Sequence, residues 1–297
     1  MRAALALAFA ILLGGANPAA TQGVAITFDD LPAHAELPPG ETRLGVVARI
    51  VGALADAGAP PTYGFVNGAT AAEPAQAEAL RLWRAAGHPV GNHTYSHRRL
   101  DDLAAFEDEV ARNEPVLAEL GGEWRWFRYP YLEEGATPGL RAGARQLLNT
   151  RGYRIASVTL DFSDWAWNAP YARCAAKGDM AAIAKLEASW IAAADASLVR
   201  ARALSRQLHG REIPLVLLMH VGAFDGRMLP RLLALYRDRG VRLVTLEAAM
   251  ADPFYRADRD AAASPHPATL EDAARSRGIL PPPKTWDLAA LEKVCAP

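Results

Sequence analysis

Short apolar runs alternate along the chain with longer stretches in which apolar residues recur every three or four positions. Residues 24–28 form the first run, and their β-branched and apolar side chains predict a strand. Residues 42–57 carry apolar side chains at positions 44, 47, 50, 51 and 54, which is the spacing of a helix with one buried face. The same two patterns predict further strands at 62–66, 124–129, 153–160, 214–219 and 241–245, and further helices at 71–86, 103–120, 138–149 and 229–238.

This alternation predicts an α/β protein with parallel strands covered by helices. We expect an irregular (β/α) barrel, and a doubly wound open sheet is the alternative. In both folds, reactive side chains lie at the carboxyl ends of the strands. Residues 171–209 are alanine-rich and helical without a strand signal, which predicts a long helical insertion. From residue 252 the chain is rich in proline, which predicts a segment that wraps around the domain.

The first twenty residues are typical of an export signal. Arg2 is followed by an apolar run at 3–13 and small residues at 14–20, with cleavage expected after Ala16 or Ala20. An uncleaved anchor is the alternative, although the run is short for crossing a bilayer. We expect an exported protein, periplasmic or extracellular, without a membrane span in the mature chain. The expected organisation is a signal peptide at 1–20, a main domain at 21–251 and a C-terminal wrapping segment at 252–297.

The net charge bears on the partners of the protein, and the cysteine content bears on whether it contains a disulfide. The sequence has 32 Lys and Arg against 33 Asp and Glu, for a net charge of −1. This balance argues against nucleic acid or an anionic membrane surface as a partner. Cys174 and Cys295 are the only cysteines. In an oxidising compartment they could form a disulfide, and two unpaired thiols are equally compatible with the sequence.

Two adjacent carboxylates and two histidines are the first candidates for chemistry. Asp29 and Asp30 end the first predicted strand, where one could bind a cation while the other acts as a base. Alone, such a pair is more often a turn or a helix cap. His93 and His97 are four residues apart, and we interpret them as projecting from one face of a helical turn toward one ion. With an aspartate they form a facial metal site, for which zinc is the default and other first-row divalent ions are alternatives.

Three more candidates follow later apolar runs. Arg128 could pair with a carboxylate of the site, and Pro130 fixes the backbone so that the next amide N–H could face a ligand oxygen. Asp164 and His220 each end a predicted strand. Alone, His220 would be interpreted as a structural histidine, whereas an aspartate that orients it would make it a general acid.

Together these segments resemble the polysaccharide deacetylases, the NodB-homology family also known as carbohydrate esterase family 4. The motifs of that family are T-F-D-D, H-x-x-x-H, R-x-P, D-x-x-D-W and L-x-H, and the sequence has them in that order at 27–30, 93–97, 128–130, 161–165 and 218–220. The resemblance extends from about residue 24 to about residue 245. It implies a metal-dependent hydrolase that removes an acyl group, N- or O-acetyl, from a carbohydrate-like substrate. It also implies an irregular barrel with fewer than eight strands, so we expect about seven, and one divalent ion, with zinc ahead of cobalt, manganese or nickel.

The resemblance implies that Asp30, His93 and His97 hold the metal. Asp29 would be the general base that deprotonates the metal-bound water, and Arg128 would pair with Asp29 and tune it. Because a metal ion lowers the pKa of bound water toward about 7, a carboxylate is a sufficient base.

The resemblance also implies which residues act on the substrate. The backbone N–H of Tyr131 would contact the substrate and help to stabilise its oxyanion. His220, oriented by Asp164, would protonate the leaving amine or alkoxide. Trp165 and Leu218 would line a small apolar pocket for the acyl methyl group.

The sequence departs from the family pattern at three places. The family usually has Gly-Pro after T-F-D-D, whereas Leu31 and Pro32 follow here, and because leucine does not easily adopt positive φ we expect a different turn. Glu133 and Glu134 follow the R-x-P motif; they could favour a cationic substrate, but solvated side chains are the simpler interpretation. The helical stretch at 171–209 is long for its connection. The substrate is therefore either an acetylated carbohydrate, polymeric or not, or a small acylated compound.

Two alternatives to this function stay open. A hydrolase of non-sugar amide C–N bonds could use the same residues, and the departures above keep it open. A non-catalytic carbohydrate-binding relative would keep the fold without turnover, but it would not need Asp29, Asp164 and His220 together. His34 could stand near the metal, although we expect an exposed loop residue there.

Overall fold

The computed structural model describes residues 22–32, 34–259 and 269–296, so the predicted signal peptide at 1–20 lies outside the described residues. In the described part, parallel strands form one sheet in the order β5-β4-β3-β2-β1-β6, and β7 pairs with β1. The strands are β1 Gly23–Leu31, β2 Tyr63–Val66, β3 Val90–Asn92, β4 Trp126–Phe127, β5 Arg154–Ile155, β6 Leu215–His220 and β7 Arg242–Leu243. The predicted α/β class, with a curled parallel sheet of about seven strands, is confirmed.

β1 lies between β2 and β6 in the middle of the sheet. Both of its faces are covered, because Val24, Ala25 and Phe28 have no exposed surface. A strand buried on both faces has no alternation of polar and apolar residues, which explains the continuous apolar run in the sequence. The register places Asp29 opposite His220 of β6, so two predicted site residues meet at the same carboxyl edge.

One segment joins the two edges of the sheet. Ala156 donates its backbone N–H to Phe127 of β4 at 2.8 Å, and Leu160 donates to Val216 of β6 at 3.0 Å. The sheet therefore curls until the segment after β5 reaches β6. The predicted strand at 153–160 is wrong in length, because this segment changes partners along its course and cannot form one continuous ladder.

The sequence patterns miss β3, which has only three residues. Its middle residue, Gly91, allows close packing, since a Cβ there would lie 2.6–2.8 Å from the Phe65 ring and the carbonyl oxygen of Trp126. A run of three residues around a glycine is too short for any hydrophobic period to be recognised.

Helices cover the sheet, and those at 43–150 lie at nearly the predicted positions, whereas the short helices after residue 245 were not predicted. The helices of the described residues are α1 Arg43–Asp56, α2 Pro74–Ala85, α3 Leu103–Leu120, α4 Pro138–Thr150, α5 Asn168–Lys177, α6 Met180–His209, α7 Ala223–Asp238, α8 Leu246–Met250, α9 Arg256–Arg259, α10 Leu270–Ser276 and α11 Leu288–Glu292. Thr42 caps α1 by accepting from the N–H of Gly45 at 3.0 Å. α7 begins earlier than its predicted start at 229, because burial of its apolar side chains overrides the poor helix propensity of Gly226 and Pro230.

The predicted helical insertion at 171–209 consists of two helices, α5 and α6. They are separated by Gly178, which takes the left-handed conformation with φ 67°, and Asp179 then caps α6 by accepting from the N–H of Ala182 at 2.9 Å. The 30 residues of α6 bury one face, on which Trp190 is fully covered. The insertion therefore forms part of the main core.

The C-terminal segment is fastened to α5. Cys174 forms a disulfide with Cys295, 121 positions later, and Arg173 donates to the carbonyl oxygen of Val294 at 2.9 Å. The disulfide answers the question that the sequence left open for the two cysteines. None of the helices in the described ranges is both long and apolar enough to cross a membrane.

Candidate active site

Asp29 and Arg128 form an ion pair at the carboxyl edge of β1. Arg128 Nη1 donates to Asp29 Oδ1 at 3.0 Å, and both side chains are almost fully buried. Two other acceptors fix Arg128, since its Nε donates to the carbonyl oxygen of Ala156 at 2.6 Å and its Nη2 to Thr27 Oγ1 at 3.1 Å. A guanidinium fixed by three hydrogen bonds holds the carboxylate in one orientation.

His93 and His97 lie on an irregular loop after β3, so the predicted helical turn is wrong. Thr94 and His97 have φ values of 64° and 56°, which a right-handed helix does not allow. The loop is held instead by Glu109 of α3, which accepts from the backbone N–H of Ser96 at 2.7 Å and from its hydroxyl at 2.8 Å. The two imidazole rings nevertheless converge, with centroids 4.9 Å apart.

Both imidazoles face one oxygen of Asp30. His93 Nε2 lies 3.5 Å and His97 Nε2 lies 3.4 Å from Asp30 Oδ1. Two atoms that are each about 2.1 Å from a tetrahedral ion stand about 3.4 Å apart, so this spacing fits a shared ion. Asp30 Oδ1 is buried and has no hydrogen-bond partner within the described ranges, which a bound cation would supply. Two imidazoles and a carboxylate are a donor set that fits a divalent metal ion.

The protonation states of these groups suit metal binding. His93 Nδ1 lies 2.8 Å from a backbone carbonyl oxygen, which can only accept, so Nδ1 carries a proton and Nε2 is the nitrogen that faces the proposed ion. Burial and the neighbouring His93 lower the pKa of His97 to about 4, so His97 is neutral at pH 7. Burial alone would raise the pKa of Asp30, but the hydrogen bond from His34 and the positive charge of His220 outweigh it and hold this pKa below its ordinary value.

His220, at the end of β6, is bonded twice to Asp164. Asp164 Oδ1 accepts from Nδ1 of the ring at 2.9 Å, and Oδ2 accepts from the backbone N–H of His220 at 2.6 Å. Burial alone would lower the pKa of His220, but the charge of Asp164 and its hydrogen bond raise it to about 10. His220 therefore carries a proton at neutral pH, as a general acid must.

Asp225 and Asn168 adjoin this pair, and the sequence analysis did not identify them. Asp225 is fully buried in the first turn of α7, where its Oδ2 accepts from Asn168 Nδ2 at 2.6 Å. Burial and the negative charge of Asp164 raise the pKa of Asp225 well above its ordinary value, which favours the protonated form of this carboxyl group. An aspartate in the first turn of a helix usually interacts with the helix dipole, so nothing in the sequence distinguished Asp225 from an ordinary helix-terminal residue.

The expectation that His34 is an exposed loop residue is wrong. The side chain is partly buried and lies beside Asp30. Its Nδ1 is 2.6 Å from Asp30 Oδ2, and its ring centroid is 4.6 Å from that of His220. In the turn that follows the T-F-D-D motif, Asp30 has a positive φ of 58°. Leu31 does not have a positive φ and is a buried residue of β1. The four-residue spacing from Asp30 was the available signal, but nothing in the sequence showed that the turn would bring the two side chains together.

The remaining predicted substrate residues lie next to these groups. Tyr131 and Trp165 are exposed, by 51% and 46%. The Tyr131 ring lies 4.5 Å from the His97 ring between centroids, and the Arg99 guanidinium lies 4.1 Å from its centroid. Trp165 directly follows Asp164, which bonds to His220, and Leu218 is nearly buried in β6, two residues before His220.

Glu133 and Glu134, after the R-x-P motif, have different environments. Glu133 is exposed and pairs with Arg99. Glu134 is buried, and both of its oxygens accept from Arg145 at 2.8 Å, while Arg145 also lies 3.3 Å from Asp258 of α9. The interpretation of two solvated carboxylates is therefore wrong for Glu134, because a buried arginine from α4 pairs with it.

Comparisons with known proteins find similarity to polysaccharide deacetylases. The family model described as polysaccharide deacetylase matches residues 16–156, which include the first three motifs. A chitin deacetylase of Colletotrichum lindemuthianum is 31% identical over 112 residues, which are 36% of this chain and 43% of that protein. A peptidoglycan-N-acetylglucosamine deacetylase of Bacillus cereus is 27% identical over 146 residues, which are 48% of this chain and 47% of that protein. The chain thus aligns with less than half of each relative's length.

The fold comparison covers more of the chain. The solved structure of the Colletotrichum lindemuthianum chitin deacetylase superposes with a TM-score of 0.53 at 22% identity, over 83% of this chain and 95% of that one. At this identity the likeness concerns the fold alone. The placement of the last two motifs therefore rests on the geometry of this chain.

Proposed function

The chain belongs to the polysaccharide deacetylase family, and from this membership we propose that it is a metal-dependent hydrolase that removes an acyl group, N- or O-acetyl, from a carbohydrate-like substrate. One observation carries the proposal: the unpartnered Asp30 Oδ1 faces His93 and His97, with a second aspartate and a protonated histidine close by. The names of the two relatives, chitin deacetylase and peptidoglycan-N-acetylglucosamine deacetylase, both describe acetyl removal from a carbohydrate.

Asp30, His93 and His97 would hold the metal ion. When bound, a divalent ion would polarise the substrate carbonyl and lower the pKa of a water molecule toward about 7. Zinc suits two imidazoles and a carboxylate, and cobalt, manganese or nickel are the alternatives.

Asp29 is proposed as the general base. Its Oδ1 is occupied by Arg128, whereas Oδ2 lies on the metal side, 3.7 Å from His93 Nε2. Oδ2 is therefore the oxygen left to accept the proton of the attacking water. The ion pair with Arg128 keeps this oxygen in place without taking up its lone pairs.

His220 is proposed as the general acid. Asp164 holds the proton on Nδ1 and orients the ring, so Nε2 is the nitrogen that can donate to the leaving amine or alkoxide. An amine leaves poorly as an anion, and a protonated imidazole in a fixed position removes that barrier. The intact acid and base argue against a relative that only binds carbohydrate.

The substrate contacts complete the proposal. The backbone N–H of Tyr131 would donate to the developing oxyanion, and Trp165 and Leu218 would line the pocket for the acyl methyl group. Trp165 and Leu218 suit this role because Trp165 directly follows Asp164 and Leu218 lies two residues before His220 in β6.

Acetate release from a panel of substrates tests the function. The panel contains acetylated monosaccharides, oligomers and polymers, together with small non-sugar amides, and metal content is measured on the same protein. We expect about one divalent ion per chain and acetate from at least one carbohydrate. Turnover confined to non-sugar amides would favour the other amide hydrolase, and metal binding without any turnover would favour the non-catalytic relative.

We also propose that the protein is exported to the periplasm or the extracellular space. The Cys174–Cys295 disulfide supports this location, because such bonds persist in oxidising compartments. Cell fractionation and the mass of the mature chain test it, with loss of about the first twenty residues expected. A chain that keeps its N-terminus and stays in the cytoplasm would contradict the proposal.

A further inference from the structure

The two oxygens of the Asp30 carboxylate have different partners. Oδ1 faces His93 and His97 at 3.5 and 3.4 Å, whereas Oδ2 lies 2.6 Å from His34 Nδ1. A carboxylate can only accept, so the short contact means that His34 Nδ1 carries a proton and donates it. This bond fixes the rotation of the carboxyl group about its own axis.

We propose that His34 is a positioning residue for the metal site, which turns Oδ1 of Asp30 toward the two histidine ligands. The inference rests on the proposed function, since it assumes that Asp30, His93 and His97 bind the ion. Groups that hydrogen-bond a ligating side chain raise metal affinity by restricting the orientation of that ligand, typically about 10–100-fold.

His34 is itself held in place by hydrogen bonds to its own backbone N–H and carbonyl groups. Its N–H donates to the carbonyl oxygen of Val221 at 3.0 Å, and its own carbonyl oxygen accepts from Arg43 Nη1 at 3.1 Å. Val221 follows directly after His220, and Arg43 is the first residue of α1. A side chain whose backbone is anchored in this way can orient another group with little further loss of conformational entropy.

A second metal site is the competing interpretation, because Asp30, His34 and His220 also lie close together. One observation argues against it. The 2.6 Å contact between His34 and Asp30 is shorter than the separation of about 3 Å or more expected for two ligands of one ion. The arrangement therefore fits a hydrogen bond to one metal ligand.

The test compares two nearly isosteric variants. His34→Asn keeps an N–H donor close to the position of Nδ1, whereas His34→Leu removes the donor at similar volume. We expect the Kd for Zn²⁺ to rise about 10–100-fold in His34→Leu and to stay within about threefold of wild type in His34→Asn. The melting temperature of each metal-free variant shows whether it folds, and His209→Leu, at a histidine that packs on Phe254, is the control for loss of an imidazole elsewhere.

The outcomes separate this inference from the proposed function. If wild type binds no ion, the proposed metal site itself is wrong. If wild type binds one ion and a folded His34→Leu binds it equally well, the positioning role is wrong. Equal losses in both variants with a changed Co²⁺ absorption spectrum would make His34 a direct ligand, and two ions per wild-type chain would indicate a second site; either result overturns the inference.

Discussion

Arg128 donates to Asp29 across 3.0 Å, although the two residues are 99 positions apart in the sequence. The pair is buried, and its arginine is fixed from two further sides. The fold therefore positions the Asp29 carboxylate, the proposed base, through an ion pair that no local segment could make. This relationship makes the proposed role of Asp29 testable without substituting any of the proposed metal ligands.

Asp29→Asn should keep the metal and lose turnover. The amide retains an oxygen for Arg128 and the shape of the side chain, but it can no longer accept a proton. We expect kcat to fall about 10²–10⁴-fold, as is typical for loss of a general base. Steady-state kinetics and metal analysis of the same preparation check this. A variant with wild-type turnover would remove Asp29 from the role of base.

His93→Ala should lose the metal while the protein stays folded. His93 supplies one of the two nitrogens facing Asp30 Oδ1, and its removal leaves too few donors for tight binding. We expect a loss of affinity greater than the roughly 100-fold that marks the upper end of indirect effects. Zn²⁺ titration measures it, with Asp29→Asn as the variant that should retain the ion. Undiminished binding by a folded His93→Ala would refute the ligand assignment.

The alkaline limit of activity should report the His220–Asp164 pair. His220 can act only while protonated, so kcat/KM is expected to fall as the pH rises through about 10. In Asp164→Asn the negative charge is lost at constant shape, the pKa of His220 decreases, and the alkaline limb moves to lower pH. The pH profile of kcat/KM measures this shift, and Asp179→Asn, at the distant cap of α6, should leave the limb in place. An unmoved limb in Asp164→Asn would show that another group sets it.

Removing the disulfide should lower stability without changing the active-site chemistry. The bond closes a loop of 121 positions, and long loops lose much entropy when they are crosslinked. The double variant Cys174→Ala and Cys295→Ala is expected to be less stable by about 2–4 kcal/mol. Thermal or denaturant unfolding measures the difference, and a reductant should destabilise wild type but not the variant. Equal stability of the two proteins under oxidising conditions would mean that the bond does not form.

The sequence was most informative where function depends on short local patterns. Most of the site residues lie near strand ends, although Asp164 begins a short 3₁₀ helix. The structure brings these residues together at one edge of the sheet. The long helices were also predictable, since they have amphipathic patterns and several begin at a capping side chain such as Thr42. Such features need only residue types and spacing. The short helices after residue 245 were not predicted.

The features that the sequence did not predict depend on contacts between distant segments. Asp225 meets Asn168 from 57 positions away, and β3 is a strand only because β2 and β4 lie on either side of it. The loop with the two histidines is irregular because Glu109 of α3 replaces its helical hydrogen bonds. His34 reaches Asp30 only through the turn that follows β1. In each case the partner is supplied by tertiary structure, and no residue pattern encodes it locally.

The left-handed backbone at Asp30 also limits which amino acids can occupy that position. With φ at 58°, the residue lies in a region that glycine, asparagine and aspartate tolerate far better than other amino acids. Aspartate is the only one of these three with a negative charge. Glutamate, although chemically similar, would combine an unfavourable torsion with a longer reach. Main-chain geometry therefore disfavours a change to glutamate at this position by about 1–2 kcal/mol, in addition to any effect on the coordination of an ion.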